Sequence, residues 1–123
     1  MQKPKILIVD DDVGISTLMS VILAREGFEV REENRSFAAL ATAREFRPDL
    51  ALLDVDMPGK DGGVVAAELE ADPTLKKTPV IFVTSLVSRS EAGKRGNRRF
   101  IAKPVIPSEL VAAVQEALHR KAA

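Results

Sequence analysis

The chain has no cysteine, a single histidine and no long apolar run. The missing cysteines exclude zinc ribbons, iron–sulfur sites, disulfide frameworks and thiol nucleophiles. The one histidine, His119, sits among Arg120 and Lys121 on a final helical turn and reads as a solvated helix-end residue, not a catalyst. A bilayer span needs about 20 apolar residues, and nothing approaches that. Met1 to Lys5 lead into only Ile6-Leu7-Ile8-Val9 before three aspartates, too short for the apolar part of a signal peptide. An excess of one charge is also lacking. Eighteen basic and eighteen acidic residues give a formal net charge of zero, so neither a nucleic acid nor a membrane partner is demanded. Repeats, low-complexity tracts and linkers are absent. At 123 residues the chain is read as one domain, 1–123, with one core, in the cytoplasm.

What is present is an alternation of short apolar runs and helical patterns. Lys5 to Asp10, Phe28 to Glu32, Leu50 to Asp54, Pro79 to Thr84 and Phe100 to Ala102 read as strands. Ile15, Leu18, Met19 and Ile22 fall at helical spacing, and Gly27 ends that helix. Ser36 is placed to cap a second helix carrying Ala39, Leu40, Ala43 and Phe46, stopped by Pro48. Val65 and Leu69 mark a third helix. Leu110, Val111, Val114 and Leu118 mark a last one, entered at Pro107-Ser108. Strands without polar alternation, separated by helices, predict a parallel sheet covered on both faces. The expected fold is α/β: a doubly wound, five-stranded parallel sheet in a flavodoxin-like three-layer sandwich. Sites in such sheets lie at the carboxyl ends of strands.

The chemistry-bearing residues fall at those ends. Asp10-Asp11-Asp12 follow the first strand, Asp54 ends the third with Asp56 just beyond, Thr84 ends the fourth, and Lys103-Pro104 follow the fifth. Strand order 2-1-3-4-5 brings them together. Clustered carboxylates repel one another unless a cation neutralises them. Magnesium takes one or two carboxylates, a carbonyl, waters and a phosphate oxygen. A carboxylate can itself be the nucleophile in phosphoryl transfer, and the transferring group spreads charge over three oxygens. Magnesium, the Lys103 ammonium and the Thr84 hydroxyl could each take one. Asp12 and Asp61 read equally well as helix caps or turn formers.

Ile6-Leu7-Ile8-Val9-Asp10-Asp11, Leu52-Leu53-Asp54, Met57-Pro58 with Asp61-Gly62, Val83-Thr84-Ser85 and Lys103-Pro104, in that order, resemble the receiver domain of two-component response regulators over essentially the whole chain. The resemblance, in a stand-alone single-domain form, implies a phosphorelay switch rather than an ordinary enzyme. Asp54 would accept phosphate from a sensor histidine kinase or phosphotransfer protein, and the phosphorylated surface would then meet an output protein. Asp10, Asp11, Asp54 and the backbone carbonyl of Asp56 would hold Mg2+, with Asp11 direct and Asp10 acting through water. Thr84 and Lys103 would bind phosphoryl oxygens, Thr84 and Phe100 would form the switch pair, and the bond before Pro104 would be cis.

Two other readings compete. Leu53-Asp54-Val55-Asp56 matches the start of a haloacid-dehalogenase-type phosphohydrolase, but Met57-Pro58 departs from that pattern and Asp10-Asp11 go unexplained. A scaffold of receiver fold that never uses phosphate leaves the acidic pair, Asp54, Thr84 and Lys103 without a purpose. The stretch between Thr84 and Lys103 is shorter than usual for the family. Ser88 to Glu91 reads as a capping box, yet Gly93 and Gly96 follow and no apolar stripe sustains a helix. The usual fourth helix is therefore expected to be a turn or missing, leaving a basic loop with Arg89, Lys94, Arg95, Arg98 and Arg99.

Overall fold

The computed structural model describes residues 2–88, 90–95 and 98–122. In chain order the elements are β1 (Lys5–Val9), α1 (Val13–Arg25), β2 (Glu29–Glu33), a 3-10 turn (Ser36–Ala38), α2 (Ala39–Phe46), β3 (Leu50–Asp54) and α3 (Gly62–Ala71). Then come β4 (Val80–Thr84), β5 (Gly93–Arg95), β6 (Arg98–Ala102) and α4 (Pro107–Ala122). The sheet order is β2-β1-β3-β4-β6-β5. Its first five members run parallel, which is the expected 2-1-3-4-5 arrangement with β6 as the fifth parallel strand.

Successive side chains of a strand face opposite ways, and on β1, β3 and β4 both faces are buried. Leu7, Val9, Ala51, Leu53 and Phe82 pack against α2 and α3 through Ala43, Phe46, Val65 and Leu69. Ile6, Ile8, Leu50, Leu52, Ile81 and Val83 pack on the other face against Met19 and Leu23 of α1 and Leu110 and Val114 of α4. Burial of each large aliphatic side chain contributes roughly 1.5–3 kcal/mol, which explains why the central strands β1, β3 and β4 are largely apolar, while β2 at the edge is mostly charged. No helix among the described residues is long and apolar enough to cross a membrane.

Three local expectations change. Leu18 is exposed, and the buried face of α1 runs through Ser16, Met19 and Leu23 instead. This helix carries apolar residues around much of its circumference, so spacing alone does not select the buried side. Ser36 does not cap α2; its hydroxyl donates to the Pro58 carbonyl at 3.2 Å, while Ala38 occupies the cap position without a side-chain bond. The third change concerns the basic loop. No helix stands between β4 and β6 among the described residues, as expected, but residues 93–95 form a strand antiparallel to β6, not a loop. Half of the Ser88–Glu91 box forms: the Glu91 carboxylate accepts from the Ser88 N–H at 2.9 Å, but the Glu91 N–H donates to the Ser88 carbonyl at 3.0 Å and not to its hydroxyl, and only a turn is closed. With no helix between β4 and β6 among the described residues, the outer face of these strands is covered by side chains. The Phe82 and Phe100 rings stack at 5.4 Å, and the Arg98 guanidinium lies 5.5 Å from the Phe82 ring centroid while pairing with Glu70 at 2.7 Å. Arg99 pairs with Glu116 of α4 at 2.8 Å. Part of the basic charge is thus tied to the fold.

The turn after α3 is held by Asp72. Its Oδ1 accepts from the Thr74 N–H and hydroxyl at 2.8 and 2.6 Å, and its Oδ2 accepts from Arg44 of α2 at 2.6 Å. The Thr74 hydroxyl first, and then Arg44, lower its pKa from 3.8 to about 2. A carboxyl depressed in the folded state contributes stability above its unfolded pKa and loses it as pH falls through the folded value. Asp72 therefore supports the fold above pH 3.8 and ceases to do so towards pH 2. Thr74→Val is expected to shift the acid-unfolding midpoint upward in a circular-dichroism titration. An unmoved midpoint would show that the hydroxyl has no part in it.

Candidate functional site

Asp10 lies one residue past β1 and has no solvent exposure. Its backbone N–H donates to the Glu33 carbonyl at 3.2 Å, and its Oδ1 accepts from the Asp12 N–H at 2.9 Å. Asp54 is the last residue of β3 and is buried. β1 and β3 are neighbours in the sheet, so the two carboxyls emerge side by side. Lys103, just past β6, reaches between them: its Nζ donates to Asp10 Oδ2 at 3.1 Å and to Asp54 Oδ1 at 3.2 Å. Its own N–H donates to the Thr84 carbonyl at 2.9 Å, and the Lys103–Pro104 bond is cis. Thr84 ends β4, buried, with its Oγ1 accepting from the Leu86 N–H at 3.0 Å. Four strand ends converge here because they are neighbours in the order β1, β3, β4, β6.

The electrostatics follow from that crowding. Burial first, and then the Asp10 charge, raise the Asp54 pKa from 3.8 to about 6, although Lys103 works the other way. For Lys103, burial disfavours the ammonium, but its bond and charge interaction with Asp10, joined by Asp54, outweigh that and raise its pKa. Asp11 is exposed at the mouth. Oxygens of Asp10, Asp11 and Asp54 come within 4.8 Å of one another, and these three are the one group of that kind among the described residues. Three hard oxygen donors against one ammonium suit a divalent cation of magnesium type.

Asp56 stands apart in its side chain, which is exposed and outside that group. Its backbone N–H donates to Asp54 Oδ1 at 3.4 Å. Asp12 and Asp61 are N-caps, accepting from the N–H groups of Ile15 and Val64 at 3.1 and 2.9 Å. Phe100 is half-buried on the face that also carries Phe82 and Thr84. His119 is exposed on α4.

Two more residues hold the site: Asn34, which no motif marks, and Gly62, which stands in the Asp61-Gly62 motif without an assigned role. Asn34, just past β2, donates from its amide to the Asp10 carbonyl at 2.8 Å and to Ser16 at 2.9 Å. Gly62 opens α3 so close to β3 that a Cβ there would overlap the Asp54 carbonyl. A polar residue ending the strand beside β1 was the available signal for Asn34; the close approach at Gly62 is visible only in three dimensions.

Residues 6–115 match the model of the response regulator receiver domain. The DNA-binding response regulator MtrA of Mycobacterium tuberculosis is 35% identical over 121 residues, covering 96% of this chain and 52% of that protein. The transcriptional regulatory protein ResD of Bacillus subtilis is 35% identical over 119 residues, covering 94% and 48%. The chain thus spans about half the length of these curated relatives. Among solved structures, the chemotaxis protein CheY4 of Vibrio cholerae superposes with a TM-score of 0.84 at 28% identity, covering 94% of this chain and 99% of that one. The receiver domain of a signal transduction histidine kinase from Syntrophus aciditrophicus gives a TM-score of 0.79 at 30% identity, covering 94% and 90%. Fold, strand-end chemistry and relatives agree, and the chain belongs to the receiver domains of two-component response regulators, the switch modules of phosphorelay signalling.

Proposed function

We propose that Asp54 is the phosphoryl acceptor of this receiver and that residues 1–123 act as one switch domain in the cytoplasm. The observation that supports this best is the Lys103 ammonium shared between Asp10 and Asp54, residues that lie 93 and 49 positions away in the chain. A sensor histidine kinase or phosphotransfer protein would be the donor. The Asp54 carboxylate forms the new bond to phosphorus as the bond from phosphorus to the donor imidazole nitrogen breaks. Asp10, Asp11, Asp54 and the Asp56 backbone carbonyl would hold Mg2+, which supplies positive charge against the phosphoryl oxygens. Lys103 is already beside the acceptor and takes one phosphoryl oxygen; the Thr84 hydroxyl turns from its local bond to take another. The chain would promote only its own phosphorylation and dephosphorylation, which sets it apart from a phosphohydrolase. MtrA is named for DNA binding, but with no net charge here we assign this chain protein partners only. Peptide mass spectrometry after treatment with acetyl phosphate and magnesium tests the reading. One phosphoryl group on the peptide containing Asp54 is expected; a label elsewhere, or none, would refute it.

Thr84 and Phe100 form the proposed switch. Movement of Thr84 towards the phosphoryl group opens space on the face it shares with Phe100, and the ring enters that space, shifting a two-state equilibrium. Phenylalanine has no hydroxyl to bond outside, so burial against Phe82 is favoured more than it would be for tyrosine. Phe100→Tyr is expected to increase the exposed ring population in the unphosphorylated protein by NMR. An unaltered ring environment would count against the switch.

A further inference from the structure

The connection between β2 and α2 touches both halves of the acidic site without contributing a carboxylate to it. On one side, the Glu33 carbonyl receives the Asp10 N–H at 3.2 Å and the Asn34 amide donates to the Asp10 carbonyl at 2.8 Å. On the other side, the buried Ser36 hydroxyl donates to the Pro58 carbonyl at 3.2 Å. Phe37 is 68% exposed. Its ring lies across Gly59, so closely that a Cβ at Gly59 would overlap it, and Gly59 has φ +83°. The next residue, Lys60, sets its ammonium 5.3 Å from the ring centroid and pairs with Glu68 of α3 at 2.7 Å. Pro58, Gly59 and Lys60 belong to the loop that begins with Asp56, whose backbone N–H bonds Asp54.

We propose that residues Asn34 to Phe37 are a positioning brace, which fixes the Asp10 turn and the loop carrying Asp56 relative to each other and so pre-forms the cation site. This rests on the reading of Asp10, Asp11, Asp54 and Asp56 as magnesium ligands. None of the brace residues belongs to the proposed ligand set; they act through backbone groups of Asp10 and of the loop. Outer partners of this kind govern affinity because hard-cation sites depend on ligand placement. The Phe37 ring suits this role because it is rigid, it covers a loop residue that has no side chain, and Lys60 holds it in place.

The test uses the full chain, with Phe37→Ala, Ser36→Ala and Phe37→Tyr, titrated with magnesium chloride alone and followed by NMR amide shifts. Phe37→Ala is expected to weaken magnesium binding by on the order of tenfold, Ser36→Ala by less, and Phe37→Tyr, whose ring still covers Gly59, to bind as the wild type does. Amide exchange of residues 56–60 in the metal-free protein is expected to speed up in Phe37→Ala while exchange in β1 and β3 stays unchanged. Wild-type magnesium affinity in Phe37→Ala would overturn the brace, as would unchanged exchange of residues 56–60. A wild-type protein that shows no magnesium-dependent shifts near Asp10, Asp11 and Asp54 would instead overturn the ligand assignment, and the exchange of the loop would still decide the brace.

Discussion

Asp54→Ala is expected to take up no phosphoryl group from acetyl phosphate and, without metal, to melt at a higher temperature than the wild type at pH 8. The first effect is complete, because the side chain removed is the proposed nucleophile. The second follows from the acidic cluster. Asp54 has a pKa of about 6 in the folded protein against 3.8 for a free carboxyl, through burial and the neighbouring Asp10 charge. Between those values the folded state holds a proton that the unfolded state has released, so stability falls as pH rises through the interval. The penalty is then fully present at pH 8. A tenfold difference in proton affinity corresponds to about 1.4 kcal/mol; with allowance for solvent at the open mouth, removing the carboxyl returns on the order of 1–2 kcal/mol, a rise of several degrees for a chain of this size. Lys103 keeps Asp10 as a partner in the variant. Thermal melts in a chelator at pH 5 and pH 8 check this, the stabilisation being larger at pH 8. Labelling at the wild-type level would remove Asp54 from the proposal, and a variant less stable than wild type at both pH values would remove the repulsion argument.

Lys103→Met should have the opposite sign. It leaves Asp10, with no exposure, and Asp54, nearly as buried, without their shared cation. Removing one member of a buried ionic cluster costs roughly 3–5 kcal/mol when the remaining charges cannot escape. Here one can, by protonation. Lys103 lowers the Asp54 pKa, so its loss pushes that pKa further up and the folded protein takes up a proton near neutral pH. The expected cost in metal-free protein is therefore about 3 kcal/mol at pH 8 and clearly less at pH 5. Magnesium is expected to stabilise the variant by more than it stabilises the wild type, since it restores positive charge between the same carboxyls. Urea unfolding at the two pH values, with and without magnesium, measures all of this. A cost independent of pH would mean that Lys103 acts through its packing alone.

Much of this was legible in the residues themselves. Apolar runs such as Leu50–Leu53 have no polar alternation, which only a sheet covered on both faces can use, and a parallel order then brings Asp10, Asp54, Thr84 and Lys103 to one edge. The lack of a helix between β4 and β6 among the described residues was legible too, since Gly93 and the missing apolar stripe are local properties. What replaces that helix was not. A strand of Gly93–Arg95 has its partner in β6, and pairing energy belongs to two segments at once. The same holds for Arg98 and Arg99, whose charges look solvated until Glu70 and Glu116 arrive from other elements.

The chemistry at the strand ends is written in the residues, because residue type and position along each strand carry it. How that chemistry is held is a matter of packing in three dimensions. The Lys103 ammonium lies between two carboxyls, Asn34 grips the Asp10 carbonyl, and Phe37 rests on Gly59. Each of these is a contact between residues remote in the chain or unmarked by any motif. Their placement depends on distances of a few ångströms, which are set when the sheet and its helices pack and not by any one segment.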